Sequence, residues 1–229
     1  MRAPLPTNEH ERLEVLRSYA VLDSEPEEGF DELVQVAAEV CGAPIALITL
    51  VDETRQWFKA RVGLEASETP RDQAFCAHAI LGDDTMVVPD AQVDARFRDN
   101  PLVTEDPRIR FYAGAVLKGT EGHGLGTLCV IDTVPRDADP LDPSQLRVLE
   151  ALSRQAVRLF ELRRANAALA DALSRVKLLA PLVPVCAWCR RIRDDKDYWT
   201  TVEDYLQREV GVDTTHGICP TCAVEALHG

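Results

Sequence analysis

The 229-residue sequence has no run of about 18 consecutive apolar residues, which excludes a transmembrane helix. Its start, Met1-Arg-Ala-Pro-Leu-Pro-Thr-Asn-Glu-His10, lacks the apolar stretch of a secretory signal, so the expected compartment is the cytoplasm. Basic residues are in deficit: 25 Lys and Arg against 38 Asp and Glu, a formal charge of −13. That balance repels nucleic acid and anionic membrane over most of the surface and argues against both as partners. Catalytic signatures are missing as well. There is no H-E-x-x-H, no G-x-S-x-G and no kinase motif set, and the glycines from Gly119 to Gly126 lack the Gly-Lys-Ser/Thr of a phosphate loop. With no catalytic constellation in view, the chain is expected not to be an enzyme.

What is present reads as a folded protein, with 46% hydrophobic and 28% charged residues. Charge divides it into three parts. Residues 1–151 hold 14 basic and 28 acidic side chains, residues 152–180 hold 6 and 2, and residues 181–229 hold 5 and 8. The seven cysteines divide similarly: Cys41, Cys76 and Cys129 are scattered singly, whereas Cys186, Cys189, Cys219 and Cys222 fall in two tight pairs. The expected domains are 8–142, a helix over 143–180 and a small module over 181–229.

In the first part, Leu13, Leu16 and Tyr19 have the spacing of a short amphipathic helix. A second helix, opened by Pro26 and closed by Gly42, carries Phe30, Leu33, Val34, Ala37, Ala38 and Cys41 on one stripe. Ile45 to Val51 reads as a buried strand, paired across a turn with Gln56 to Val62. Residues 63–110 are loop-rich, the length of a functional cover. Phe111 to Leu117 and Leu125 to Ile131 make a second hairpin. The fold class is therefore α+β, an antiparallel sheet with helices packed on it.

Asp142-Pro143-Ser144-Gln145 is a strong helix start, and nothing breaks the helix before Pro181, some 38 residues or about 57 Å. Within it Leu152, Leu159, Asn166, Leu173 and Ala180 repeat every seven residues, as do Gln155, Leu162, Leu169 and Val176. That pattern predicts a parallel two-stranded coiled coil, a homodimer through residues 152–180, with Asn166 fixing register. The competing reading is an amphipathic helix lying on its own domain.

Cys186-Ala-Trp-Cys189 and Cys219-Pro-Thr-Cys222 present four thiols in two knuckles, the donor set of a structural zinc site. The 29 residues between them exceed the usual spacer, so they are expected to fold as an insert, with Tyr198, Trp199, Val202, Tyr205 and Leu206 at helical spacing and Gly211 as a stop. His216 is an alternative ligand or a partner to one. A thioredoxin-like dithiol is the rival, but it leaves the second pair unexplained. Arg190, Arg191 and Arg193 are followed at once by Asp194, Asp195 and Asp197, a mixed-charge face. The tail's excess of acid disfavours nucleic acid.

Cys41 and Cys129 lie on apolar faces and read as buried. Cys76 and His78, two apart, do not face each other on a helix and form no obvious catalytic pair. Trp57, Arg71, Cys76, His78, Asp90, Arg110 and Tyr112 sit at strand ends and loops where a ligand pocket could form.

Residues 8–133 resemble the GAF domains of bacterial sensory proteins. The resemblance runs in order through Asn8-Glu9, Arg12-Leu13, Val21-Leu22-Asp23, Pro26-Glu27, Phe30-Asp31, Pro44 to Ile48, Arg55 to Lys59, Glu68-Thr69-Pro70-Arg71, Phe75-Cys76-Ala77-His78-Ala79-Ile80, Phe111 to Ala115 and Leu125 to Asp132. It implies a central antiparallel sheet, a small-molecule pocket or regulatory surface under the 63–110 loops, and a signalling helix leaving the domain. The Asn-Lys and Phe-x-x-x-Asp-Glu set of cyclic-nucleotide-binding GAF domains is missing, as is the chromophore-attachment context of phytochromes. Residues 181–223 resemble a small cysteine-containing tail that follows sensor and receiver modules. Together these imply a signalling protein: a GAF domain sensing a ligand, redox state or partner, a dimeric relay, and a zinc-stabilised module that docks a signalling protein. The alternative is a GAF-type reductase of free methionine sulfoxide using Cys76 or Cys129, for which the sequence offers no closely spaced pair of thiols in this region.

Overall fold

The structure, a computed structural model, describes residues 2–119, 122–136, 140–178, 184–193, 198–215, 217–220 and 222–224. Ala180, Pro181, Asp194, Asp195, Asp197 and His216 lie outside the described residues. Two compact units are present, Met1–Asp171 and Ala172–Gly229.

The first unit opens with α1 (Glu9–Ser18) and α2 (Glu28–Cys41). The expected start at Pro26 is two residues early, because Glu27 takes the extended conformation of an N-cap; Gly42 closes α2 in the left-handed conformation, as a terminal glycine should. Strands β1 (Ile45–Val51) and β2 (Arg55–Val62) form the expected first hairpin, and β5 (Phe111–Lys118) and β6 (Gly124–Asp132) the second. The intervening segment contributes β3 (Glu68–Pro70), a 3-10 turn (Arg71–Gln73), α3 (Phe75–Ala79), β4 (Met86–Val88) and α4 (Pro101–Thr104). The six strands form one antiparallel sheet in the order β3-β2-β1-β6-β5-β4. Its centre, β1 beside β6, joins the two hairpins. Gly126 is required there, because a Cβ would stand 1.8 Å from the Thr49 carbonyl oxygen.

The sheet has two buried faces. One is covered by α1, α2 and the first half of α5 (Pro143–Leu178), with Leu16, Phe30, Val34, Ile48, Leu50, Leu128, Leu149, Ala156 and Phe160 in one core. The other is covered by the 63–110 segment, whose Phe75, Cys76, Val88, Phe97, Val103 and Ile109 pack on Leu47, Phe58, Tyr112, Cys129 and Ile131. The helix α5 begins as its sequence requires. The Asp142 carboxylate accepts from the Ser144 and Gln145 amides at 2.6 and 2.9 Å, and the Gln145 side chain returns the bond to the Asp142 amide. The helix changes character along its length. Leu149, Ser153, Ala156 and Phe160 bury one stripe in the domain, while Leu162, Leu169 and Leu173 are 55–59% exposed.

An ion network ties covering elements to the sheet, and a hydrogen bond ties two of the helices together. Lys59, buried on β2, donates to Glu27, Ser24 and the Glu25 carbonyl, and Arg163 of α5 also reaches Glu27. Tyr19 of α1 hydrogen-bonds Glu161, beside Phe160.

In the second unit Val185 bridges to Ile192, and β7 (Ile192–Arg193) pairs with β8 (Trp199–Thr200). Helix α6 (Val202–Val210) follows, capped by the Thr201 hydroxyl and stopped at Gly211. The helical part of the insert thus starts later than the Tyr198-Trp199 pair, which lies at the small strand.

Candidate functional site

Strands alternate, so Leu47 and Thr49 on β1, Tyr112 on β5, and Thr127, Cys129 and Ile131 on β6 share the face under the 63–110 cover. Proline at residue 70 and the 3-10 turn that follows place α3 over the middle of that face. Cys76 comes from α3 and points at the sheet. Its Sγ accepts a hydrogen bond from the Thr127 hydroxyl at 2.9 Å, and the Tyr112 hydroxyl lies 3.3 Å away. Thr49 and Thr127 hydroxyls are 3.3 Å apart, and Tyr112 is 3.3 Å from Thr127. Cys129 belongs to the same buried cluster as Cys76. All five side chains are at most 1% exposed.

Burial alone raises a thiol's pKa by penalising the thiolate. At Cys76 the opposing hydrogen bonds from Cys129, Thr127, Thr49 and Tyr112 outweigh burial and lower the thiol to about 7. Burial and the neighbouring Cys76 charge push Cys129 and Tyr112 upward. The cluster therefore eases deprotonation at Cys76 and opposes it at Cys129 and Tyr112.

Beside it lies a cavity of about 170 Å³, lined chiefly by Ile45, Leu47, Phe58, Phe75, Ile109 and Ile131, with Cys76 and Tyr112 at one side and Gln56 and Thr69 at another. Gln56 is 6% exposed, and neither its Oε1 nor the Thr69 Oγ1 has a hydrogen-bond partner. A buried acceptor without a donor is costly, about 1–3 kcal/mol, so these atoms favour a ligand or water that brings one.

Of the residues singled out in the sequence, Cys76 and Tyr112 meet at this cavity. The others are placed elsewhere. Trp57 belongs to the core on the helix-covered face. Arg71 is buried and clamps Glu9 of α1 at 2.5 Å and the Asp52 carbonyl at 2.9 Å. Asp90 and Arg110 form a bidentate pair at 2.8 and 2.7 Å, which holds the Asp90 carboxyl below the usual carboxylate range. His78 sits edge-on to Phe97 with centroids 4.9 Å apart. Sequence reasoning missed Thr49, Gln56, Thr69 and Thr127. The available signal was polar residues inside strands buried on both faces, where each needs a partner. It also found no close thiol pair, because Cys76 and Cys129 are 53 positions apart and only the stacking of α3 on β6 unites them.

The tail cysteines form two separate turns. The Cys189 amide points at the Cys186 sulfur at 3.5 Å, and the Cys222 amide at the Cys219 sulfur at 3.4 Å. Such amide donors, from Cys189 and Trp188, lower the Cys186 thiol. Among the described residues no three His, Cys, Asp or Glu side chains stand together as a metal site.

The fold is a single sheet with α1, α2 and α5 on one face and a loop-covered cavity on the other, and the GAF domain model matches residues 25–158. The chain belongs to the GAF family. Over 164 residues it is 45% identical to a cyclic di-GMP phosphodiesterase of Pseudomonas aeruginosa, a match spanning 71% of this chain and 28% of that protein. The GAF domain of an Acinetobacter phosphoenolpyruvate-protein phosphotransferase shares the fold, with a TM-score of 0.51 at 19% identity over 68% of this chain and 95% of that one. The expectation that the chain is not an enzyme is corrected by the first of these, since a relative this similar bears an enzyme's name. The match covers 28% of that protein, so the motifs missing from this chain say nothing of the activity that name describes. No helix among the described residues is long and apolar enough to cross a membrane.

Proposed function

We propose that the chain is the sensory part of a protein acting in cyclic di-GMP turnover. Its GAF domain receives a small ligand, redox state or partner, and α5 transmits the change through a homodimeric coiled coil. The observation that carries the relay is the division of α5. Leu149, Ala156 and Phe160 are fixed in the domain core, and the same helix then presents Leu162, Leu169 and Leu173 to solvent. A helix seated on the sheet at one end and apolar but uncovered at the other links the sheet's state to a pairing surface. The similarity to a cyclic di-GMP phosphodiesterase supports the pathway.

The ligand reading rests on the enclosed cavity and its two unpartnered oxygens: a molecule of a few heavy atoms, apolar on most sides, donating hydrogen bonds to Gln56 and Thr69. In the tail, Cys186, Cys189, Cys219 and Cys222 would hold a zinc ion, with His216 as an alternative ligand or a partner to one. The donor set fits zinc, and each pair is already turned with an amide toward a sulfur. When bound, zinc would supply stabilisation that so small a unit lacks in its own core. The module it closes is the docking site for a signalling partner.

The test is sedimentation of the full chain combined with a cyclic di-GMP hydrolysis assay. A dimer at micromolar concentration, with cyclic di-GMP hydrolysis by the chain or by a phosphodiesterase mixed with it, is the expected result. A monomer with no effect on hydrolysis would overturn the reading. Metal analysis of the same preparation is expected to return one zinc per chain.

A further inference from the structure

The buried thiol cluster carries more than a packing role. Cys76 and Cys129 share one buried cluster. Thr127, two residues before Cys129 on the same strand face, bonds the Cys76 sulfur at 2.9 Å. Cys76 also lines the cavity, and among the described residues no charged side chain is paired with either. Two hydroxyls meet the Cys76 sulfur: Thr127 donates to it at 2.9 Å, and the Tyr112 hydroxyl lies 3.3 Å away. A sulfur that accepts hydrogen bonds is held toward the thiolate, the nucleophilic form of a cysteine. The next sulfur is the one group able to resolve an oxidised product in place.

We propose that Cys76 and Cys129 are a redox site, at which a hydroperoxide entering the cavity converts the pair reversibly to a disulfide. The chemistry balances with the peroxide as the only oxidant. The Cys76 sulfur attacks one peroxide oxygen and the O–O bond breaks. The departing oxygen leaves as hydroxide or alkoxide and takes up the thiol proton, leaving Cys76 as a sulfenic acid. The Cys129 sulfur then attacks the Cys76 sulfur, expelling the sulfenic oxygen as water with the Cys129 proton. Two thiols and one hydroperoxide give a disulfide, water and water or an alcohol, with two electrons passing from sulfur to oxygen. A water-sized oxidant fits easily, since about 170 Å³ exceeds the ~30 Å³ share of one water several-fold. Forming the bond draws the sulfurs to about 2.05 Å, which pulls α3 onto β6 and changes the wall of the cavity.

Cys41 is a built-in control. It lies in the core on the opposite face of the sheet, and burial pushes its thiol up. The inference rests on the sensory reading only for its consequence; the disulfide forms or fails to form whatever α5 does.

The experiment treats the folded full chain with hydrogen peroxide, quenches, unfolds, alkylates and maps every cysteine peptide by mass spectrometry. The expected result is a Cys76–Cys129 linked peptide replacing most of both free peptides, reversed by dithiothreitol, with Cys41 still a thiol. Cys129→Ala is expected to leave a dimedone-trappable sulfenic acid on Cys76, and Cys76→Ala to leave Cys129 reduced. Full alkylation of Cys76 and Cys129 in the wild-type chain, at peroxide doses that oxidise the exposed tail cysteines, overturns the proposal. So does linkage of Cys76 to any other cysteine. If either variant fails to fold by circular dichroism, the wild-type map decides alone. A positive map with a monomeric chain would uphold this site and refute the dimeric relay.

Discussion

Glu9 is the residue whose removal tests the energetic reasoning most sharply. Its carboxylate accepts from Arg12 Nε and Nη2, each at 2.8 Å, and from Arg71 Nη1 at 2.5 Å. The two arginine side chains are 1% and 7% exposed and that of Glu9 is 15% exposed. Burial pushes the Glu9 carboxyl up, yet the hydrogen bonds and charges of Arg12 and Arg71 outweigh it and hold the group at about 2 against an ordinary 4.5. A carboxyl with a depressed pKa stabilises the fold above its unfolded-state pKa. That contribution is lost as pH falls from about 4.5 toward about 2. The shift corresponds to about 3 kcal/mol at neutral pH. Glu9→Gln also leaves two buried guanidinium groups without a counter-charge, a cost of about 3–5 kcal/mol when a buried pair is broken. Urea unfolding of wild type and variant at pH 7 is expected to differ by about 3 kcal/mol or more, with the gap shrinking steadily between pH 5 and pH 3. A gap that stays constant across that range, or one below about 0.5 kcal/mol at pH 7, would refute the reasoning.

Phe160→Ala empties a fully buried site that stacks on Phe30 at 4.9 Å; a loss of about 3–5 kcal/mol is expected in the same unfolding assay. Leu169→Glu changes a residue 59% exposed, so unfolding is expected to stay within about 0.5 kcal/mol of wild type, whereas sedimentation is expected to shift toward monomer. Asp142→Ala removes the carboxylate that caps α5 and is expected to cost about 1 kcal/mol. Gly126→Ala cannot be seated without moving the β1 backbone, and its yield of soluble folded protein is expected to collapse.

The hairpins, the two core-facing helices and the start of α5 were legible because each has a local cause. Strands β1 and β6 are continuous apolar runs, Gly42 supplies a left-handed stop, and Asp142 with Gln145 forms a reciprocal cap. The site was less legible because its parts are local to nothing. Thr127 and Thr49 meet only because β6 pairs with β1, and Cys76 joins them only because a 3-10 turn sets α3 over that pair. Arg71, Asp90 and Arg110 looked like ligand-binding groups, since charge in a loop is the usual mark of a site. Here those charges are consumed in holding the loops to the sheet. Heptad spacing, for its part, read residues 152–180 as one pairing surface. It could not register that Phe160, at a position between the a and d rows, gives the first turns to the domain.

That placement of Phe160 bears on how a signal could leave the domain. An α-helix turns 100° per residue, so rotating α5 by one position would lift Phe160 off Phe30 and Tyr19 and expose a ring. Screw-like motion of the whole helix is therefore resisted by its own root, at a cost on the scale of a lost aromatic side chain. The compliant portion begins beyond Arg163 and Arg164, which still bond Glu27 and Ser18, where Leu169 and Leu173 face water. Messages from the domain would then travel as bending or tightening of the distal turns about a fixed pivot.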